Sequence, residues 1–284
     1  ARVDELAAAM GDAEAERRIA ALASRVGSFA GMTAWLDEHA EPLAAPGELY
    51  SYSNDAFCLV GGIIEQVTDA PFAQAVEREV LAPLGMRRSR FDVEGVLADP
   101  DHATLYARGL GGEVERSPSW QTTGVMEAGG MLKSTLSDLR AYVRHLMAGG
   151  ERARALAKPR VESGPGAAYG LGLARRDGYH GLTLLSHGGS LKGVSSAIGH
   201  SPQLGVGVVV LCNLEGVPAE QLLVGLVNAC AGLPIDSTPY DPSPAEAAPE
   251  DLRPILGDYL SGEPYGRTSL RLSDTGELRA AVGW

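Results

Sequence analysis

Apolar positions recur at helical spacing through the first half of the chain. Leu6, Met10, Ile19 and Leu22 place an amphipathic helix over residues 3–26. Gly27 and Gly31 interrupt the pattern, a short helix follows over 32–39, and 42–47 reads as a loop. Residues 57–68 (FCLVGGIIEQVT) form a strongly apolar helix. A glycine inside a helix costs about 0.5–1 kcal/mol, so Gly61 and Gly62 mark places where another element packs close to the backbone. Pro71 opens a further helix carrying Phe72, Val76 and Val80, which ends at Pro83-Leu84-Gly85. Residues 92–130 lack periodicity and are rich in Gly, Pro and polar residues, a long irregular stretch of the kind that carries function. Ser134 or Thr135 caps the next helix, with Asp138 as capping-box partner if Thr135 is the cap. That helix turns Leu139, Tyr142, Val143 and Leu146 inward and ends at Gly149-Gly150.

The period changes after residue 168. Residues 169–173, 183–186, 195–200 and 205–213 read as short strands, with turn signals at Ser201-Pro202 and Gly205, which predicts an antiparallel sheet. Residues 219–231 form a closing helix. The stretch 236–250 is a Pro/Ala/acidic linker, and 256–260 and 269–282 are new strands, the latter folded at 274–276. The expected fold class is α/β, of the α+β kind: an antiparallel sheet flanked by helices, with a helical subdomain. The expected division is one large domain over 1–235, a linker over 236–250, and the start of a C-terminal β domain over 251–284. No internal repeat is present.

Composition narrows the partners. Apolar residues make up 45% and charged residues 21%, a globular balance. A formal net charge of −12 with no basic stripe argues against nucleic acid. Arg87-Arg88 with Arg90, and Arg175-Arg176, read as solvated loop ends. Cys58, Cys212 and Cys230 lie in apolar runs, where cysteine behaves as a small buried hydrophobe. No Cys-x-x-Cys or His-Glu-x-x-His spacing points to a metal or a disulfide framework. No apolar run reaches the ~18–20 residues of a membrane span. The chain starts at Ala1 rather than Met, which leaves compartment open and fits an exported protein whose leader is absent from this sequence. The partner expected is a small-molecule or peptide substrate, and the oligomeric state is not readable.

Two short motifs carry chemistry. In Pro46-Gly-Glu-Leu-Tyr50-Ser-Tyr52-Ser-Asn54, Tyr52 and Asn54 sit two residues apart before a helix and can point phenol and amide to one side. A phenol beside a cation can give and take a proton near neutral pH. In Ser186-His187-Gly188-Gly189-Ser190-Leu-Lys192-Gly193, the glycine pair at a strand end lets a substrate backbone approach closely. A backbone N–H just after the pair can help hold an oxyanion. Alone, the first motif is also an ordinary turn before a helix and the second an ordinary β-turn.

Their order and surroundings resemble the serine β-lactamase and penicillin-binding-protein superfamily, in its class C-like branch with esterases and D-aminopeptidases. The resemblance runs from about Pro46 to Gly216. Besides the two motifs it includes Gly61-Gly-Ile-Ile-Glu65, Leu81-Ala-Pro-Leu-Gly-Met86, Ala128-Gly-Gly-Met-Leu132, Ser134-Thr135 with Asp138-Leu139, Tyr169-Gly-Leu-Gly172 and Leu211-Cys-Asn213. The resemblance implies hydrolysis through a seryl acyl-enzyme without cofactor or metal. It implies Tyr52 as general base or acid and Asn54 as the group orienting a catalytic lysine and the substrate carbonyl. It puts His187 on the strand edge facing the leaving group, Gly188 and Gly189 where the substrate enters, and the Ser190 N–H as an oxyanion donor. A neutral imidazole is a poor partner for a carboxylate, so His187 tilts the substrate toward esters or D-amino-acid amides.

One element of the pattern is missing. No serine in the chain has a lysine three residues on, and the residues before Tyr52 read as helices. Two explanations follow: a fragment of a complete hydrolase, inactive as it stands, or a non-catalytic ligand-binding or regulatory homologue of the same fold. The strand ending Val208-Val-Val-Leu-Cys212 is then expected to lose neighbours, leaving either an open sheet edge or one filled by the helix over 3–26. The 284 residues made alone are expected to be insoluble or molten.

Overall fold

Capping side chains decide where four of the helices begin. The computed structural model describes residues 21, 25–41, 43–108, 113–117, 120, 124–164, 166–239, 249–260, 267–273, 276 and 278–283. Most of the helix read over 3–26 lies outside the described residues, as does most of the linker. Ser28 caps α1 (Phe29–His39), its Oγ accepting from the Gly31 N–H at 3.1 Å. Ser53 caps α2 (Asn54–Thr68) in the same way through the Ala56 N–H, also at 3.1 Å. Helix α2 therefore starts three residues before the apolar run at Phe57 (57 − 54 = 3), with the polar Asn54-Asp55 in its first turn, where a cap and an acidic residue are favourable. The glycine reading holds. A Cβ on Gly61 would lie 2.7 Å from Ala128 Cβ, and one on Gly62 would lie 2.9 Å from the Phe29 ring. Helix α2 is thus pressed between α1 and a 3-10 turn, Gly124–Gly129. The Glu65 carboxylate accepts from the Phe72 N–H at 2.7 Å and sets the start of α3 (Phe72–Val76). That helix runs through a π-helical turn, Glu77–Leu81, into α4 (Ala82–Leu84), which stops at Gly85 with φ 68°.

The stretch 92–130 is less irregular than its sequence implies. Asp92 caps α5 (Val93–Ala98), and β1 (Tyr106–Arg108) and β2 (Val114–Arg116) form an antiparallel pair. Elements of three to six residues are too short to display a period. Thr135 caps α6 (Leu136–Met147) through the Asp138 N–H at 3.2 Å. The Asp138 carboxylate is not a capping-box partner. It is buried and accepts instead from the Arg88 N–H at 2.9 Å and the Ser89 hydroxyl at 2.8 Å, tying the segment after α4 to the start of α6. Helix α7 (Glu151–Ala157) follows.

The second half builds a six-stranded antiparallel meander in chain order. Its strands are β3 (Val161–Gly164), β4 (Ala167–Tyr169), β5 (Ala174–Tyr179), β6 (Leu182–Leu191), β7 (Val194–Ser201) and β8 (Val206–Cys212). Residues 169–173 are not one strand, as the sequence reading had it: β4 ends at Tyr169 and a turn follows. A Cβ on Gly170 would run into the Leu156 carbonyl, and Gly172 has φ 109°, so this turn depends on both glycines. On one face Leu184, Ala197, Val208 and Val210 pack with Leu223, Val224 and Val227 of α8 (Ala219–Ala231). On the other face α6 comes so close that a Cβ on Gly207 would lie 2.5 Å from Val143 Cγ1. Among the described residues β8 pairs with β7 alone. Cys58 is buried as expected, but Cys230 is exposed on α8 and Cys212 is intermediate. No helix among the described residues is long and apolar enough to cross a membrane.

His200 on β7 points away from α8, is 5% exposed, and has no hydrogen-bond partner for Nδ1 among the described residues. Burial holds its pKa below the ordinary histidine value. As pH falls below about 6.5 the unfolded chain takes up a proton that the folded state refuses. The stability contributed by the neutral ring is therefore complete above that pH and is lost as pH falls toward the lowered folded value. Urea unfolding of the full open reading frame product at pH 7.5 and at pH 5 should show a steeper loss for the native protein than for His200→Leu, by up to about 1.4 kcal/mol per pH unit. Equal losses would contradict this account of His200.

Val26–Pro239 form one compact unit, and the C-terminal strands belong to a second. In the latter, α9 (Pro249–Leu252) precedes β9 (Gly257–Leu260), β10 (Arg267–Leu272) and β11 (Leu278–Gly283), antiparallel with β10 in the centre. Ser269 and Arg271 both donate to the Asp258 carboxylate, at 2.6 and 2.7 Å.

Candidate active site

The site begins with an interrupted ladder. Strand β6 pairs with β5 only as far as Ser186, opposite Ala174, because the chain has turned at residues 170–173. On its other side β6 continues against β7 to Leu191, opposite Val194. Residues 187–191 therefore have a strand on one side only, and their other edge is open. The His-Gly-Gly-Ser motif is not a turn, as its sequence alone allowed; it lies within β6, which turns at Lys192-Gly193. Side chains alternate across a strand, so Gly188 shares the α8 face with Leu184 while His187 and Gly189 face the opposite way. A Cβ on Gly188 would meet the Glu220 carboxylate at 2.5 Å, and one on Gly189 would meet Ser196 Oγ at 2.5 Å. A side chain at either position would have to displace the neighbour it meets, the end of the Glu220 side chain or the Ser196 hydroxyl.

Four rings gather where this edge opens. Tyr52 lies in the extended segment leading to Ser53 and α2, with its ring centroid 6.0 Å from that of His187 and 6.2 Å from that of Tyr169. Tyr50, two residues earlier and so on the same side of an extended chain, lies 5.4 Å from Tyr169. Tyr169 and His187 are 6.1 Å apart, ring to ring. The imidazole is held at both nitrogens: Nδ1 is 2.6 Å from the Gly188 carbonyl and Nε2 is 2.9 Å from the Tyr169 hydroxyl. Burial, then the neighbouring Tyr52 and Tyr50, push the Tyr169 phenol far above its ordinary pKa. Burial also raises Tyr52, and burial with the nearby Tyr52 raises Tyr50. All three phenols hold their protons at neutral pH. A cation brought beside Tyr52 would act in the opposite direction.

The sequence-derived residues are thus partly brought together. Tyr52 and His187 meet; Gly189 shares the face of His187, and Gly188 and Ser190 lie beside them on the open strand. Asn54 stands at the first position of α2, exposed, against Gly129, where a Cβ would lie 3.5 Å from Asn54 Cβ. Among the described residues neither the Asn54 amide nor the Tyr52 hydroxyl has a hydrogen-bond partner. Sequence reasoning had not placed Tyr50 and Tyr169 in the site. The i, i+2 spacing of Tyr50 and Tyr52, and an aromatic directly before the Gly170-Leu-Gly172 turn, were the available signals.

Residues 11–229 match the β-lactamase family, a longer stretch than the motifs alone delimit. A D-aminopeptidase of Gluconobacter oxydans is 30% identical over 224 residues, which cover 77% of this chain and 40% of that protein. A D-aminopeptidase of Brucella canis is 27% identical over 248 residues, covering 84% of this chain and 44% of that protein. The chain thus spans less than half the length of these relatives. The octameric penicillin-binding protein homologue from Pyrococcus abyssi superposes with a TM-score of 0.67 at 23% identity, over 90% of this chain and 60% of that one. The chain belongs to the β-lactamase family, within the superfamily of serine β-lactamases and penicillin-binding proteins.

Proposed function

We propose that this chain carries the Tyr-x-Asn and His-Gly-Gly parts of a serine hydrolase that cleaves D-amino-acid amides or peptides through an acyl-enzyme. The observation that carries the reading is the Tyr52 phenol, without a hydrogen-bond partner among the described residues and 6.0 Å ring to ring from His187 at the open edge of β6. The D-aminopeptidase relatives support the substrate class. The nucleophile is a Ser-x-x-Lys serine supplied by polypeptide outside these 284 residues. Its hydroxyl adds to the substrate carbonyl, its proton passes by way of Tyr52 to the departing amine, and water releases the acyl group. The lysine of that segment supplies the cation Tyr52 lacks. Asn54 orients that lysine and the carbonyl, Gly188 and Gly189 admit the substrate, and the Ser190 N–H stabilises the oxyanion. Taken alone, the 284 residues have a binding surface without a nucleophile, which favours ligand binding as the second reading for this polypeptide by itself.

The product of the full open reading frame containing these residues should hydrolyse D-amino-acid p-nitroanilides at least about tenfold faster than the L-forms, a difference of roughly 1.4 kcal/mol at the transition state. Equal rates on both would remove the D-specific reading, and no hydrolysis of either would remove the hydrolase reading.

A further inference from the structure

Within residues 187–191, the open edge of β6, His187 is the one ionisable side chain, and both of its ring nitrogens lie within hydrogen-bond distance of a partner. The Gly188 carbonyl can only accept, so the 2.6 Å contact requires the hydrogen to be on Nδ1. With the ring neutral, Nε2 presents a lone pair to the Tyr169 hydroxyl at 2.9 Å, and Tyr169 is then the donor. Recognition of a carboxylate needs an outward N–H. Here the ring's N–H is used on the Gly188 carbonyl, and its lone pair is covered by Tyr169.

Tyr169 is held in place from several directions. Its carbonyl accepts from the Arg160 N–H at 2.9 Å, and the Leu171 N–H bonds the Leu156 carbonyl at 3.0 Å. Gly170 is packed against that same carbonyl. Tyr50 and Tyr52 flank its ring.

We infer that Tyr169 is a specificity-determining positioning residue: by donating to His187 Nε2 it keeps the ring a neutral wall, so the site takes substrates whose leaving side is uncharged, amides and esters, over those ending in a free carboxylate. The substrate half of this inference rests on the hydrolase reading above; the proton assignment does not.

Two measurements test it separately. Imidazole nitrogen NMR of the full open reading frame product should show His187 neutral with its hydrogen on Nδ1. In Tyr169→Phe the Nε2 signal should move downfield, as a lone pair does on losing a donor. A hydrogen on Nε2 in the native chain, or an Nε2 signal unmoved by Tyr169→Phe, would overturn the assignment; the native spectrum decides even if the variant does not fold. In the full open reading frame product, the preference for a D-dipeptide amide over the same dipeptide with a free carboxylate should fall about two- to tenfold in Tyr169→Phe, the range of one hydrogen bond. An unchanged preference would overturn the specificity role. Absence of hydrolysis of either substrate counts against the hydrolase reading alone, and the nitrogen signals then decide the Tyr169 assignment.

Discussion

Incubated with an activated phosphonate, the 284-residue polypeptide should keep its unmodified mass. Three independent features act against acylation. No serine has a lysine three residues on, and an unactivated hydroxyl is a weak nucleophile at neutral pH. The nearest candidate base, Tyr52, keeps its phenolic proton at neutral pH, its pKa raised by partial desolvation, and without a cation beside it is a poor acceptor for a serine proton. The other candidate, His187, has both ring nitrogens within hydrogen-bond distance of existing partners, the Gly188 carbonyl and the Tyr169 hydroxyl. Among the serines beside Tyr52, Ser53 is committed to the cap of α2. Intact-mass spectrometry reads the result directly. A stoichiometric adduct on Ser51, Ser53 or Ser190 would reveal a substitute nucleophile.

In the product of the full open reading frame, Tyr52→Phe should lower kcat on a D-amino-acid p-nitroanilide by about 10²–10⁴, the usual range for loss of a general acid–base group. KM and the thermal midpoint should change little. The lost hydroxyl has no partner among the described residues, and the ring that packs against Tyr169 and His187 is retained in phenylalanine. A kcat within about threefold of the native value, well below that range, would reduce Tyr52 to a packing residue.

Much of the framework was legible because it is local. The boundaries of α8 follow from its apolar run, the contacts of Gly61 and Gly62 from the cost of glycine inside a helix, and the antiparallel sheet from short strands separated by turn residues, although β3 and β5 carry no such signal. The sequence misled where a local signal had two physical meanings. Asp138 has the spacing of a capping-box residue, but its carboxylate is drawn to Arg88 and Ser89, fifty and forty-nine positions away. Residues 169–173 have strand composition, but packing of Gly170 on Leu156 turns the chain and ends the pairing of β5 with β6 at Ser186. That turn both opens the edge beside His187 and delivers Tyr169 to it. The tyrosine was readable as part of a family landmark; its hydrogen bond to His187 depends on a contact across eighteen positions that no spacing rule encodes.

The central claim is that these residues form the proton-handling and substrate-admitting side of a seryl acyl-enzyme site. It is tested most directly by phosphonate labelling of the full open reading frame product followed by peptide mapping. The account predicts one adduct, on a serine followed three positions later by lysine, outside residues 1–284, with labelling slowed in Tyr52→Phe. An adduct on a serine within residues 1–284, or labelling indifferent to Tyr52, would contradict it.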